Sequence, residues 1–144
     1  MVEKDTIKLL HECDAGIKMG VASIDDVRGY AKSAELKDAL TECKSKHEKL
    51  KDELQQALER FDDGGKDPNP MAQGMSKIKT NFKLGLDTSD ATIADLMTDG
   101  CNMGIKSLSK YLNQYKAADE KAKDLTKKLI AQEQQLLEQL RPYL

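Results

Sequence analysis

The apolar residues of this 144-residue chain recur at intervals of three and four along four stretches, and no other feature of the sequence constrains the fold as strongly. This spacing places the apolar side chains on one face of an α-helix, whereas a half-buried strand alternates every second residue. The pattern predicts helices over residues of about 5–28, 34–62, 90–115 and 119–141. The fold class is therefore expected to be all-α.

Short polar residues stand where three of these helices are expected to begin. Asp5, Ser33 and residues 87–90 can accept hydrogen bonds from the free amides of a first helical turn. Pro142 is expected to end the fourth helix, since proline cannot continue the hydrogen-bond ladder.

The lengths of the connections predict how the helices are paired. Only a few residues separate the first helix from the second and the third from the fourth, so each pair is expected to form an antiparallel hairpin. Two hairpins that bury their apolar stripes against each other make a four-helix bundle, and one such domain is expected to span residues 1–144.

A long connection of different character joins the two predicted hairpins. Its DDGGKDPNP stretch excludes a continuous helix, and a short amphipathic helix is expected over about 71–82. Its apolar face is predicted either to cover the bundle or to bind a partner or a second copy of the chain. This candidate interaction face consists of Met71, Met75, Ile78 and Phe82.

Charge and cysteine content exclude several classes of protein. The chain has 25 acidic and 23 basic residues, which gives a formal charge of −2. It therefore lacks the basic excess that would predict nucleic-acid binding. No stretch approaches the roughly 18 uninterrupted apolar residues of a membrane span, and the N-terminus lacks the apolar core of a signal peptide. We therefore expect a cytoplasmic protein whose three dispersed cysteines are reduced and buried.

Polar residues interrupt each apolar stripe near its middle, where a bundle core is normally apolar. Metal sites in helical bundles are built from carboxylates and imidazoles that project inward from facing helices. The candidate ions for such a site here are iron, zinc or manganese. Two other interpretations stay open: the carboxylates lift to solvent at the stripe edges, or Asp14 and His47 form a buried structural pair. The candidate ligands are Asp14, His47, Asp99 and Glu133.

Four glycines lie inside the helical patterns, in two pairs spaced four residues apart. These are Gly16 and Gly20 in the first helix and Gly100 and Gly104 in the third. Since glycine costs about 1 kcal/mol relative to alanine within a helix, both pairs are expected to mark close helix crossings.

Three stretches of the sequence carry a resemblance to a known family: CDAGIKMGVASIDDV, PNPMAQGMSKIKTNFKLGLD and LSKYLNQY. Through them the chain resembles an uncharacterised bacterial branch of the ferritin-like four-helix-bundle superfamily. The resemblance implies one long crossover between the second and third helices. That topology inverts the second hairpin and is expected to separate Asp14 and His47 from Asp99 and Glu133 by about 12 Å.

The resemblance does not extend to the di-metal chemistry of that superfamily, which needs two Glu-x-x-His motifs. Lys44 stands three residues before His47 and Lys8 three residues before His11, so neither histidine completes the motif. We therefore expect a non-enzymatic bundle without a cofactor that acts as a protein-interaction or oligomerising module. The alternative is a degenerate metal-binding or redox bundle.

Overall fold

The structure is a computed structural model that describes residues 2–61 and 87–144. These residues form four α-helices and no strand: α1 (Val2–Arg28), α2 (Ala34–Glu59), α3 (Asp90–Gln114) and α4 (Glu120–Leu140). A short 3-10 helix, Arg141–Tyr143, follows α4 and contains the proline expected there. The predicted all-α four-helix fold is confirmed. The predicted helix over 71–82 and its apolar face lie outside the described residues.

Capping side chains set where three of the helices begin. Ser33 accepts the amide of Leu36 at the start of α2, and Ser89 accepts the amide of Thr92 at the start of α3. Asp119 has the same role for α4. The prediction for Asp5 is wrong, because α1 begins at Val2 and the Asp5 carboxylate instead accepts the amide of Ala117, 3.1 Å away, before α4.

Contacts at the two ends of the bundle fix the helix directions. At the base, the amide of Asp119 donates to Thr6 Oγ1 (2.8 Å), and Arg60, just after α2, pairs with Asp119 (3.1 Å). At the top, Asp90 at the start of α3 accepts the amides of Lys32 and Ser33 at 2.8 and 2.9 Å. Thus α1 and α4 run from base to top, and α2 and α3 run from top to base.

Two apolar clusters fill the interior. The lower cluster includes Leu9, Ile17 and Leu54, and the upper cluster includes Ile24, Leu40 and Ile93. Their side chains are fully buried, so the hydrophobic effect acts at both ends of the bundle. The level between the two clusters contains polar side chains. None of the described helices combines the length and the apolar character that a membrane span requires.

Candidate functional site

A cluster of four polar or thiol side chains occupies the level between the two apolar cores. It consists of Cys43 and His47 from α2, Cys101 from α3 and Glu133 from α4, and we call it the central cluster. His47 is 1% exposed and the two thiols are 5% and 2% exposed, so three of the four groups are sealed from solvent. The Glu133 side chain is 12% exposed.

His47 is held at both ring nitrogens. Its Nε2 lies 2.9 Å from Glu133 Oε1, and its Nδ1 lies 3.7 Å from Cys43 Sγ, one helical turn earlier. Burial disfavours the charged ring, but the acceptors at Cys43 and Glu133 outweigh it and raise the pKa of His47 from 6.5 to about 10. At neutral pH the ring is therefore an imidazolium that donates to the carboxylate and to the sulfur.

The thiol of Cys101 is a second hydrogen-bond donor to the carboxylate of Glu133. Burial raises the pKa of Cys101, and the charge of Glu133, to which the thiol donates a hydrogen bond, raises it further. Glu133 thus accepts from an imidazolium and from a neutral thiol. These two donors compensate the cost of placing its charge near the centre of the bundle.

Glycine makes room for this arrangement on α1. A methyl group added at Gly20 would lie 3.1 Å from Cδ2 and 3.2 Å from Nε2 of His47, closer than ordinary contact. At Gly16 and Gly104 the nearest atoms, on Leu129 and Glu133, would be 3.7 and 3.8 Å away. Of these four glycines, only Gly20 therefore marks the expected close crossing, and there the imidazole packs directly on the backbone of α1. The expectation is wrong for Gly100, where an added methyl group would meet nothing within 4 Å.

The other buried polar residues lie away from the central cluster. Asp14 is 1% exposed and pairs with Lys18 at 2.8 Å on the same helix. The Thr126 hydroxyl donates its hydrogen to the carbonyl oxygen of Ala122 (2.8 Å). Thr126 Oγ1 therefore acts as the acceptor for the Cys13 thiol, 3.0 Å away. Burial raises the pKa of Cys13 to about 12, which keeps that thiol protonated.

The structure brings together only one pair of the four predicted metal ligands, His47 and Glu133. Asp14 lies six residues from Gly20, the residue level with His47, which is about 9 Å along α1. The expectation of a paired Asp14 and His47 is therefore wrong. Asp99 is exposed, which agrees with the interpretation that it lifts to solvent and not with its role as a metal ligand, because Cys101 takes the inward position of α3.

The expected separation of His47 from Glu133 by about 12 Å is wrong as well. That expectation counted heights from the middle of the first turn, but Lys44 pairs with Asp25 and His47 packs on Gly20. The register of α1 against α2 is therefore shifted by several residues. This shift accounts only for the misplaced level of Asp14. His47 follows Ser33 at the top by 14 residues and Glu133 follows Asp119 at the base by 14 residues, about 21 Å along the helix in each case. Both side chains therefore lie near the middle of the bundle, and the inverted direction of the second hairpin does not separate them.

No set of three or more His, Cys, Asp or Glu side chains in residues 2–61 and 87–144 is arranged to hold a metal ion. The geometry of His47 gives the reason. Its two nitrogens lie on different edges of the ring, one directed at Glu133 and the other at Cys43, so thiol and carboxylate do not converge on one point.

A shallow depression of about 400 Å³ opens at the base of the bundle, well away from the central cluster. Three of its polar residues are engaged with one another through the pair of Arg60 with Asp119 and the bond from the Asp119 amide to Thr6. The lining residues are Val2, Glu3, Thr6, Arg60, Phe61 and Asp119.

Comparison with known proteins adds no functional information to this geometry: no protein-family model, curated protein or solved structure matches the chain. The resemblance to ferritin-like bundles therefore stays a prediction.

Proposed function

We propose that this chain is a non-enzymatic helical bundle that acts through its surface, as a protein-interaction or oligomerising module. The observation that supports this is the closure of the central cluster. The hydrogen bonds of this cluster are made among its own members, His47, Glu133 and the two thiols. His47 is 1% exposed. A substrate reaching these groups would have to part the helices and break a charged hydrogen bond.

We also propose the ferritin-like topology and a cytoplasmic location for the chain. The helix directions support the topology, because α2 ends at the base with Arg60 near Asp119, whereas α3 begins at the top with Asp90 near Ser33. A single long connection between antiparallel pairs is the arrangement of ferritin-like bundles. Three buried, unpaired cysteines agree with a reducing compartment.

Sedimentation velocity of the purified chain over a range of concentrations tests the self-association that this function includes. We expect the weight-average mass to rise above 16.0 kDa as concentration increases. A mass that stays at the monomer value up to about 1 mM excludes even the weak end of protein association and removes oligomerisation from the proposal.

The second candidate function is a degenerate metal-binding or redox bundle. It is favoured by the presence of two thiols, an imidazole and a carboxylate from three helices in one cluster, which are ligand types suited to zinc or iron. Binding would require His47 to release Glu133 or Cys43 so that ligands face one point. Asp14 and Asp99 no longer belong to this candidate, since neither lies at the cluster.

Element analysis of the purified protein separates the two functions. The interaction module is expected to carry no stoichiometric iron, zinc or manganese, in the native chain or in His47→Ala. Stoichiometric metal in the native chain that is lost in His47→Ala, with the helical circular-dichroism signal kept, would establish the second function instead.

A further inference from the structure

The outward surface of α3 carries an ordered pattern of charge. Six exposed residues lie within an arc of about 100° of the helix, and we call this surface the outer α3 face. Both acidic residues of the face lie toward the start of the helix and both lysines toward its end. The face consists of Asp95, Asp99, Asn102, Met103, Lys106 and Lys110.

This pattern is complementary to itself in the antiparallel direction. Asp99 and Lys106 are equally distant from the midpoint between Asn102 and Met103, and so are Asp95 and Lys110. A two-fold axis through that midpoint, perpendicular to the helix, therefore places each aspartate of one copy opposite a lysine of the other. A parallel arrangement would place like charges opposite each other.

Interactions within the chain do not account for this order. In the described part of the chain, none of the four charged residues of the face forms an ion pair with another residue. The spacing of four instead puts Asp95 near Asp99 and Lys106 near Lys110, and such like-charged pairs destabilise an isolated helix. On α2, by contrast, Lys46 pairs with Glu42 at 3.0 Å across the same spacing.

The helix dipole does not account for the pattern either. Its favourable effect on charge is confined to the first and last turns of a helix. Asp95 and Asp99 lie beyond the first turn of Asp90–Gln114, and Lys106 and Lys110 lie before its last turn.

One apolar side chain near the middle of the face suits contact with a second helix. Met103 is 53% exposed, one of the few large apolar side chains on the described surface, and methionine adapts readily to a partner surface.

We propose that the outer α3 face binds the same face of a second copy of this chain in an antiparallel, two-fold symmetric contact. This inference rests on the proposed oligomerising function and specifies its surface. The contact would contain four ion pairs, two of Asp99 with Lys106 and two of Asp95 with Lys110, around a centre of Met103 from each copy. Because exposed ion pairs are individually weak, the association is expected to be weak and to decrease with salt.

Charge reversal with complementation tests this contact. Asp95→Lys/Asp99→Lys makes the face entirely basic, and Lys106→Asp/Lys110→Asp makes it entirely acidic. Each variant alone is expected to dimerise at least about tenfold more weakly than the native chain, because four attractive pairs become repulsive. An equimolar mixture of the two is expected to regain association as a heterodimer. All four side chains are exposed, so circular dichroism should show that the variants stay folded.

A matched control carries the same change of charge on another helix. Asp38→Lys/Asp52→Lys alters two exposed aspartates of α2 and is expected to dimerise like the native chain. Sedimentation velocity at low and at high ionic strength provides the measurement for all of these samples.

The outcomes separate the surface from the function. A native chain that associates, with both α3 variants associating equally well alone, overturns the proposed face and leaves the oligomerising function standing. A native chain that stays monomeric at every concentration overturns both. Loss of association in the α3 variants without recovery on mixing overturns the antiparallel pairing.

Discussion

Replacement of Gly20 by alanine should destabilise the protein although it improves the helix-forming tendency of α1. Alanine in place of glycine within a helix normally stabilises by about 0.5–1 kcal/mol. At position 20 the new methyl group would lie 3.1 and 3.2 Å from ring atoms of His47. The ring cannot move freely, because Glu133 holds one nitrogen at 2.9 Å and Cys43 holds the other.

The expected size of the effect follows from that restraint. A hydrogen bond to a charged group contributes about 1.5–3 kcal/mol, and displacing the ring by a few tenths of an ångström weakens the bond to Glu133. After the gain in helix propensity is subtracted, we expect Gly20→Ala to lower the free energy of unfolding by about 1 kcal/mol. Gly16→Ala is the matched control on the same helix, since its methyl group would meet Leu129 at 3.7 Å, and it should stabilise by about 0.5–1 kcal/mol.

Urea denaturation measures both changes as shifts of the transition midpoint at an unchanged m-value. The cost of Gly20→Ala should also disappear in a His47→Ala background, where the space is open, giving a coupling free energy of about 1 kcal/mol or more. Two results would refute this steric effect: a stabilisation by Gly20→Ala as large as that by Gly16→Ala, or additive effects of Gly20→Ala and His47→Ala.

Three further predictions concern protonation, thiol access and the top of the bundle. Because the folded-state pKa of His47 is raised to about 10, its stabilising contribution should be complete below pH 6.5 and decline between there and about pH 10. Denaturation across that range should show a steeper decline for the native chain than for Glu133→Gln, and equal slopes would contradict the assignment. The three thiols are at most 5% exposed, so a thiol-specific chromogenic reagent should react only on unfolding, whereas rapid labelling of the native protein would disprove their burial. Asp90→Ala removes the acceptor of two turn amides and should cost about 1–2 kcal/mol in urea denaturation, and an unchanged midpoint would show that this contact contributes nothing.

The sequence predicts the helices well because their determinants are local. Apolar spacing and capping residues act within a few positions of each other, so α2 begins directly after Ser33 and α3 directly after Ser89, as expected. Asp5 shows the limit of this reasoning. Its side chain is capable of capping, but its partner is Ala117, which is distant in sequence.

The central cluster could be predicted only in part, since it depends on how four helices align. The sequence shows His47 and Glu133 as polar interruptions of two apolar stripes, whereas their contact depends on a helix register that no local signal specifies. For Cys101 the sequence predicts only a reduced, buried thiol. Cys101 stands four residues after the buried Met97, and this spacing could have placed it inward in preference to the exposed Asp99.

The division of the core by one polar level has a physical consequence for the fold. Apolar clusters alone tolerate several helix registers, whereas the pair of His47 with Glu133 is satisfied in one. Removing one partner would leave the other charge buried. We therefore expect Glu133→Leu to cost about 3–5 kcal/mol, and a double replacement of both partners by apolar residues to cost less.

The charge state of the His47 ring tests the central claim most directly, because a closed ion pair is what distinguishes this interior from an open catalytic or metal-binding site. Nitrogen-15 NMR of the imidazole, assigned by comparison with His47→Gln, reports the protonation of each ring nitrogen. We expect both nitrogens of His47 to carry protons at neutral pH and the ring to begin losing one only as the pH approaches about 10. A ring that is neutral at pH 7, or one with a nitrogen bound to metal, would contradict this expectation.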